Sequence, residues 1–506
     1  MLAKKNGDTV HHLSAIGNAH IDTAWLWPLR ETIRKCARTF STAIDYMGRY
    51  PEYIFGCSQA QQYAWMKAYY PELYADMQAY ARKGQWEPMG SMWVEADCNL
   101  ASGESIVRQI LQGKRFFQQE FGYETRDLWL PDVFGYSAAM PQILKGCGID
   151  YFITQKISWS QFNKFPHHTF YWEGIDGTRI FTHFPPADTY NAEFVPRELL
   201  FNVTNFREHG RATRSLFVYG FGDGGGGPTI EMLESARRLR DFDGMPKITL
   251  EKVIDFLPKA EKDIKEPAVW VGELYLEFHR GTYTTQGQTK RGNRKSEFLM
   301  RDAEFWDAVS FAEVPNRAET AASPARAVYD VSQVDTKPSS PHEIALDRAW
   351  KLLLLNQFHD IIPGSSITWV YEDTMRDYAT IRELGESVIA SSFSALNPKI
   401  DTTGIAEPVR VSNTLNWERT EVVDFPDGTV RKITVPPVGY AVIDAAVKPA
   451  QAESEVTVGE TAEGIEIGNG LLCIKIGKDG LLKSIWDIPT GREVLAPGLD
   501  LSLIHI

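Results

Sequence analysis

The sequence predicts an α/β protein with a mainly parallel sheet and helices packed around it, followed by a three-helix bundle and then an antiparallel β region. Three observations predict this. Short apolar runs alternate with helical patterns through the first half. Three long amphipathic stretches follow Trp270. From about Gly404 the hydrophobic period becomes two. A chain of 506 residues is too long for one ordinary core. The shifts in pattern divide it into an α/β domain at 11–268, a helical middle domain at 269–395 and an incomplete β-sandwich at 400–506.

Leu13-Ser14-Ala15-Ile16 is the first strand, and Leu26 to Met47 the first helix. Tyr53-Ile54-Phe55 is the next strand, followed by helical stretches at Gln59–Tyr69 and Pro71–Arg82. Gly103 to Phe121 is a helix for which Ser102 is the capping candidate. Leu128-Trp129-Leu130, Tyr151-Phe152-Ile153 and Leu216-Phe217-Val218 are further strands, and Pro141–Cys147 lies in a helix. Asp176-Gly177 separates Tyr171–Ile175 from Arg179–Phe184, a hairpin signal that inserts a ribbon into the parallel sheet. Ser296–Ala312, His342–Gln357 and Tyr371–Ser394 supply the bundle, with a looser connection rich in Ala, Ser and Pro at Ala318–Pro341. Val409–Val411, Ile433–Val435, Ile465–Ile467 and Leu471–Ile476 alternate as antiparallel strands, with a turn at Lys478-Asp479-Gly480. Leu501–Ile506 departs from that pattern and resembles translated adapter read-through, which predicts truncation there.

Composition narrows the function. Hydrophobic residues at 43% and charged residues at 24% describe a globular protein with ample core. A net charge of −13 argues against nucleic acid and against an anionic membrane surface. The 14 Trp and 20 Tyr, many beside Gly or Asp, suit flat ligands such as sugar rings. No apolar run approaches a membrane span, and Met1 to Val10 has no apolar core of a secretory signal. Cys36, Cys57, Cys98, Cys147 and Cys473 are odd in number, scattered and without a CxxC pair, so they are expected as free thiols in a reducing, cytoplasmic compartment. Asn202-Val203-Thr204 then matches a glycosylation acceptor by accident.

Four segments carry candidate chemistry. In Gly17-Asn18-Ala19-His20-Ile21-Asp22, which follows a strand, extended geometry points His20 and Asp22 to one side, as half a metal site. An isolated pair of this kind is more often a polar loop whose aspartate caps the next helix. Its place at a strand end shifts the balance toward a site, because parallel sheets bind ligands at their carboxyl ends. In Trp129-Leu130-Pro131-Asp132-Val133-Phe134-Gly135-Tyr136, Asp132 again ends an apolar strand, with aromatic walls nearby. Phe221-Gly222-Asp223 followed by four glycines is a loop whose backbone can approach a ligand; no Lys-Ser/Thr follows, which rules out a phosphate loop. His359, in Asn356–Gly364, ends an apolar helix before a Pro-Gly stop, where a lone histidine often complements the helix terminus. Gly272–Gln286 gathers His279, Arg280, Tyr283 and Thr284 in one polar stretch.

Together these segments resemble the family 38 glycoside hydrolases, the α-mannosidases, over almost the whole chain, and most of all the cytosolic and bacterial type. The matching motifs are GNAHIDTAWLWP, GSMWVEADCNL, WLPDVFGYS, FGDGGGG, GELYLEFHRGTYTTQ and NQFHDIIPGSS. The resemblance implies a (β/α) barrel-like catalytic domain and a retaining hydrolysis of terminal non-reducing α-D-mannose from oligosaccharides. It implies His20, Asp22, Asp132 and His359 as ligands of one divalent metal, Zn²⁺ or Co²⁺, with Asp132 also the nucleophile and Asp223 the general acid/base. Trp25 and Phe134 correspond to aromatic residues at the sugar, Lys156 to a cation near the nucleophile and Asp97 to a wall carboxylate. His279, Arg280 and Tyr283 are further substrate-binding candidates. Two carboxylates and two neutral imidazoles leave a divalent site roughly neutral, open to a cis-diol. Retention sets the two catalytic carboxyls about 5–5.5 Å apart.

Two other functions remain. A metal-dependent polysaccharide deacetylase shares a barrel-like architecture and a His/Asp site, but needs no helical domain delivering His359. An inactive mannose-binding fragment is the other, because the family's later β domains and its cytosolic type's N-terminal region are absent, leaving apolar surface exposed. Linkage preference, the choice of metal and the oligomeric state, a homo-oligomer included, are not legible in the sequence.

Overall fold

The computed structural model describes residues 4–7, 9–322, 340–447 and 456–502. The chain forms two compact units, Met1–Ile400 and Asp401–Ile506. In the first, the strands are β1 (His12–Asn18), β2 (Phe55–Cys57), β3 (Trp86–Pro88), β4 (Asp127–Trp129), β5 (Tyr151–Ile153), β6 (Thr169–Glu173), β7 (Arg179–His183), β8 (Arg214–Tyr219), β9 (Lys247–Leu250) and β10 (Val269–Val271). Around them lie α1 (Leu29–Arg49), α2 (Ala60–Tyr69), α3 (Pro71–Lys83), α4 (Gly103–Phe121), α5 (Met140–Gly146), α6 (Pro196–Asn205), α7 (Ile230–Leu239) and α8 (Val253–Asp263).

One sheet runs β3-β2-β1-β8, all parallel, with β9 added along the first half of β1. The other runs β10-β6-β7-β5-β4, and only its β6–β7 pair is antiparallel. Asp176 and Gly177 turn that hairpin, as their dipeptide predicts; β6, with β10 parallel to it, runs against β7, β5 and β4.

The two sheets meet at two seams. Beyond β3, the Gly90 N–H donates to the Asp127 carboxylate of β4 at 3.0 Å, and the Ser91 hydroxyl donates to the Asp127 carbonyl at 2.8 Å. At the second seam the Leu216 N–H of β8 donates to His183 Nε2 of β7 at 3.1 Å. Burial keeps the His183 pKa well below its ordinary value, so the ring is neutral. With Nε2 accepting, Nδ1 carries the proton and faces the Thr169 hydroxyl at 2.9 Å. Seven parallel strands, β1, β2, β3, β4, β5, β7 and β8, thus form a barrel-like ring in which side chains replace the ladder at the seams. Their carboxyl ends open on one side, where such sheets place ligands.

The predicted elements recur with shifted ends. The first helix begins at Leu29, after Pro28, rather than at Leu26. The second strand lies at Phe55–Cys57, two residues beyond its apolar signal. The Ser102 hydroxyl accepts from the Ser105 N–H and caps α4. Asn202 is buried, its amide bonded to the Leu216 carbonyl and the Ser215 hydroxyl, so the Asn-Val-Thr triplet presents no free acceptor. All five cysteines are free.

The bundle consists of α9 (Gly287–Glu313), α10 (Pro341–Leu355) and α11 (Thr368–Leu396), packed on one another. Most of the predicted 318–341 connection lies outside the described residues. The apolar helix carrying His359 ends at Leu355, so His359 sits in the following turn, not on the helix. No helix among the described residues is long and apolar enough to cross a membrane.

In the second unit, β11 (Pro408–Asn413) pairs with β14 (Gly439–Asp444), and β12 (Arg419–Asp424) with β13 (Val430–Val435), over a small core of Phe425, Ile433 and Val435. β15 (Thr457–Thr461), β16 (Gly464–Gly468), β17 (Leu472–Gly477), β18 (Leu482–Asp487) and β19 (Arg492–Glu493) form an antiparallel meander in which Leu482 alone is buried. Of the suspect 501–506 segment, Leu501 bridges to Leu482, and residues 503–506 lie outside the described residues.

Candidate active site

The carboxyl ends of the ring supply the site in sequence order. His20 and Asp22 follow β1, Glu95 follows β3, Asp132 follows β4, Lys156 follows β5, Tyr190 follows β7 and Asp223 follows β8. The 20–22 segment is held by Gln59 and Gln62, whose amides both donate to the Ile21 carbonyl, at 2.9 and 2.8 Å. Asp22 does not cap α1, whose N-terminal residue Pro28 has no side-chain cap.

His20, Asp22, Asp132 and His359 are all buried, and one ligand atom from each lies within 4.8 Å of the others. His20 Nε2 is 2.9 Å from Asp22 Oδ1. His359 Nε2 faces Asp22 Oδ1 at 3.6 Å and Asp132 Oδ2 at 3.8 Å, too far for good hydrogen bonds, and has no partner among the described residues. The two imidazoles stack with centroids 5.4 Å apart. The other oxygen of Asp132, Oδ1, accepts from Lys156 Nζ at 2.6 Å.

The electrostatics are those of an anionic pocket. Burial opposes a charged His20 ring, yet Glu95 and Asp22 outweigh it and hold its pKa well above the ordinary value. Burial likewise works against Asp22, which His20 brings down to about 2. His359 is raised despite its burial, through Asp22 and Asp360. Asp360 is pushed up to about 7 by burial first and then by Asp22. The cluster draws positive charge onto itself, and a buried imidazole nitrogen without a partner points into it. Two imidazoles and two carboxylates at this spacing fit a divalent cation.

A cavity of about 560 Å³ opens over the cluster, within the range of small-molecule sites. Its lining includes Asp22, Trp25, Asp132, Phe134, Lys156 and Asp223. His279 also lines it, edge-on to Phe134 at 4.5 Å, with its pKa lowered by burial. Asp223 stands at φ +55 at the start of the glycine loop, and its carbonyl accepts from the Asp22 N–H at 2.9 Å. The glycines permit that return. A Cβ on Gly225, itself at φ +77, would meet the Thr39 hydroxyl at 2.5 Å.

The ligand candidates His20 and His359 lie beneath the cavity lining, and three substrate-binding candidates lie outside it. Asp97 is buried two residues from Glu95, and its carboxylate is occupied by the N–H groups of Asn99 and Leu100 at 2.9 and 2.6 Å. Arg280 stacks its guanidinium over Phe162 at 5.6 Å. Tyr283 turns its hydroxyl to the Asn99 amide, 3.4 Å away. The structure instead brings in Tyr190, Trp159, Asp360 and Glu95, none of them singled out from the sequence. The Tyr190 hydroxyl donates to Asp223 Oδ1 at 2.7 Å. Trp159 lies 3.8 Å from Lys156 Nζ, which sits over its ring. Glu95 and Asp360 stand inside two of the motifs quoted above, and their position there was the only available signal.

Residues 10–273 match the Glycosyl hydrolases family 38 N-terminal domain, and residues 277–396 the Alpha mannosidase middle domain. The chain is 43% identical over 501 residues to Alpha-mannosidase 2C1 of Homo sapiens, covering 97% of this chain and 46% of that one. It is 41% identical over 494 residues to an Alpha-mannosidase of Saccharomyces cerevisiae, covering 95% and 41%. The chain therefore spans about half the length of these curated relatives. The crystal structure of an alpha-mannosidase from Enterococcus faecalis superposes with a TM-score of 0.75 at 19% identity, over 96% of this chain and 61% of that one, a likeness of fold. An α/β domain followed by a helical middle domain is thus the fold of glycosyl hydrolase family 38, and the chain belongs to that family.

Proposed function

We propose that the protein is a retaining α-mannosidase that removes terminal non-reducing α-D-mannose from oligosaccharides, with one divalent metal held by His20, Asp22, Asp132 and His359. The observation that carries this reading is the convergence of those four buried side chains beneath a cavity whose wall also presents Asp223, in a chain of family 38. When bound, the metal, Zn²⁺ or Co²⁺, supplies a Lewis-acid anchor for two adjacent sugar hydroxyls.

The chain's own groups divide the remaining work. Trp25 and Phe134 wall the sugar face. Lys156 fixes Asp132 through Oδ1, leaving Oδ2 toward the cluster. Asp132 attacks the anomeric carbon as the glycosidic bond breaks, and Asp223 gives its proton to the leaving oxygen. Asp223 then takes a proton from water, which attacks the same carbon and frees Asp132, so the configuration is retained. Tyr190 engages Asp223 Oδ1 and leaves Oδ2 to carry the proton that moves. Free cysteines accord with a cytoplasmic setting.

The test is Asp132→Ala on an aryl α-mannoside. Turnover is expected to fall at least ~10³-fold, the scale of losing a nucleophile. NMR on the wild type is expected to show the α-anomer of mannose first. Undiminished turnover, or the β-anomer first, would remove the assignment.

A further inference from the structure

We infer that Glu95 is a positioning residue that aligns both metal-binding histidines at once and thereby sets the metal affinity of the site. The inference rests on the metal reading above and concerns a residue outside the four ligands.

Glu95 is 1% exposed and contacts the two histidines through two different groups. Its side-chain Oε2 lies 3.0 Å from His20 Nδ1 as an ion-pair contact, and neither atom has a hydrogen-bond partner among the described residues. Its other oxygen accepts from the Ser58 hydroxyl at the end of β2, which fixes the carboxylate's rotation. Its backbone carbonyl faces His359 Nδ1 at 2.8 Å and accepts the His359 N–H at 3.2 Å. A carbonyl can only accept, so His359 Nδ1 carries a proton and Nε2 is the nitrogen available to ligate on the side of Asp22 and Asp132. The carboxylate at His20 Nδ1 does the same for that ring: it favours the tautomer with Nε2 free to ligate and makes it the stronger donor.

The contact is also what docks His359. Around Glu95 the backbone forms a short clasp, with Ala96 bridged antiparallel to Phe358 and the Asp97 N–H donating to the Gln357 carbonyl at 2.9 Å. His20 comes from the end of β1 and His359 from the turn after α10, 339 positions later in the chain. One buried residue at the end of the β3 segment therefore fixes the orientation of both.

The full chain, stripped by a chelator, is titrated with Zn²⁺ alone against a chromogenic competitor. Glu95→Gln removes the charge and keeps the shape. A Kd weakened about 10- to 100-fold is expected, with the apo thermal midpoint near that of the wild type. With Co²⁺ as probe, the visible absorption of the variant is expected to change in position or intensity, which a purely structural role would not produce. A wild type that takes up Zn²⁺ beside a Glu95→Gln that binds it within twofold and gives the same Co²⁺ spectrum overturns the inference alone. A wild type that binds no Zn²⁺ overturns the metal reading beneath it. If Glu95→Gln does not fold, Ser58→Ala decides: it frees the carboxylate to rotate and is expected to weaken Zn²⁺ several-fold, and an unchanged Kd overturns the inference.

Discussion

At the scale of single residues, Tyr190 separates what the side chains do from what their neighbours do to them. It lies in Asp188-Thr189-Tyr190-Asn191, a loop with no hydrophobic period and no motif to mark it. Folded, its hydroxyl donates to Asp223 at 2.7 Å. A hydrogen bond to a charged group is worth about 1.5–3 kcal/mol. Tyr190→Phe is therefore expected to lower kcat about tenfold or more, with KM changed less than about twofold, in steady-state kinetics on an aryl α-mannoside. A change confined to KM would make Tyr190 a sugar contact instead. The contrast with the four clustered residues explains what the sequence reveals. His20, Asp22, Asp132 and His359 sit in segments whose composition is unusual on its face, at strand ends or before a Pro-Gly stop. Tyr190 and Glu95 act through where they land. Asp97 shows the converse. Its motif holds two acidic residues; the Asp97 carboxylate closes a turn on Asn99 and Leu100, and Glu95, two positions away, faces the site.

At the scale of elements, long periods were legible and short strands were not. α1, α4 and α11 display a buried stripe at helical spacing over more than three turns. β3, three residues long as Trp-Glu-Pro and buried throughout, has no alternation to detect. Its Glu87 is nonetheless pivotal, since its carboxylate accepts the N–H groups of Val253 and Ile254 at 2.8 and 3.0 Å and so caps α8. Burial, then the neighbouring Asp127, push Glu87 up to about 8 from the usual 4.5. The unfolded chain releases this proton near 4.5 and the folded chain holds it to about 8, so this group's contribution to stability falls as pH rises through that window. Glu87→Gln is expected to flatten the decline of thermal midpoint over the same window; an unchanged slope would exonerate Glu87. Gly113 in α4 makes a second test. A Cβ there would lie 2.2 Å from the Ser91 carbonyl and 2.6 Å from the Met92 backbone, atoms that cannot rotate away. Alanine gains at most about 1 kcal/mol of helix propensity, while overpacking costs about 1–3 kcal/mol. Gly113→Ala is expected to lower the urea midpoint by a net loss of about 1–2 kcal/mol, and a stabilised variant would contradict the close approach.

At the scale of the molecule, the proposed metal site joins distant parts of one compact unit. Three ligands come from the ends of β1 and β4, and the fourth from the turn beyond α10, within Met1–Ile400. Cation binding to such a site is possible only when those segments are docked, so a cation bound to the folded state alone stabilises it by mass action. The gain is about 2.7 kcal/mol at a hundred times Kd and about 4.1 kcal/mol at a thousand. The unit Asp401–Ile506 contributes none of the four ligands. Zn²⁺ is therefore expected to raise the calorimetric transition of the unit that holds the four side chains by several degrees, with a chelator reversing the shift. A transition that ignores Zn²⁺, in protein stripped of metal beforehand, would mean that the four side chains meet for reasons of packing alone. The same experiment weighs the cross-link against the protein's other ties between these segments. The clasp at 95–97 and 357–359 is made of main-chain contacts that need no cation, so the stripped protein is expected to keep its helical content and lose only the increment that the cation adds.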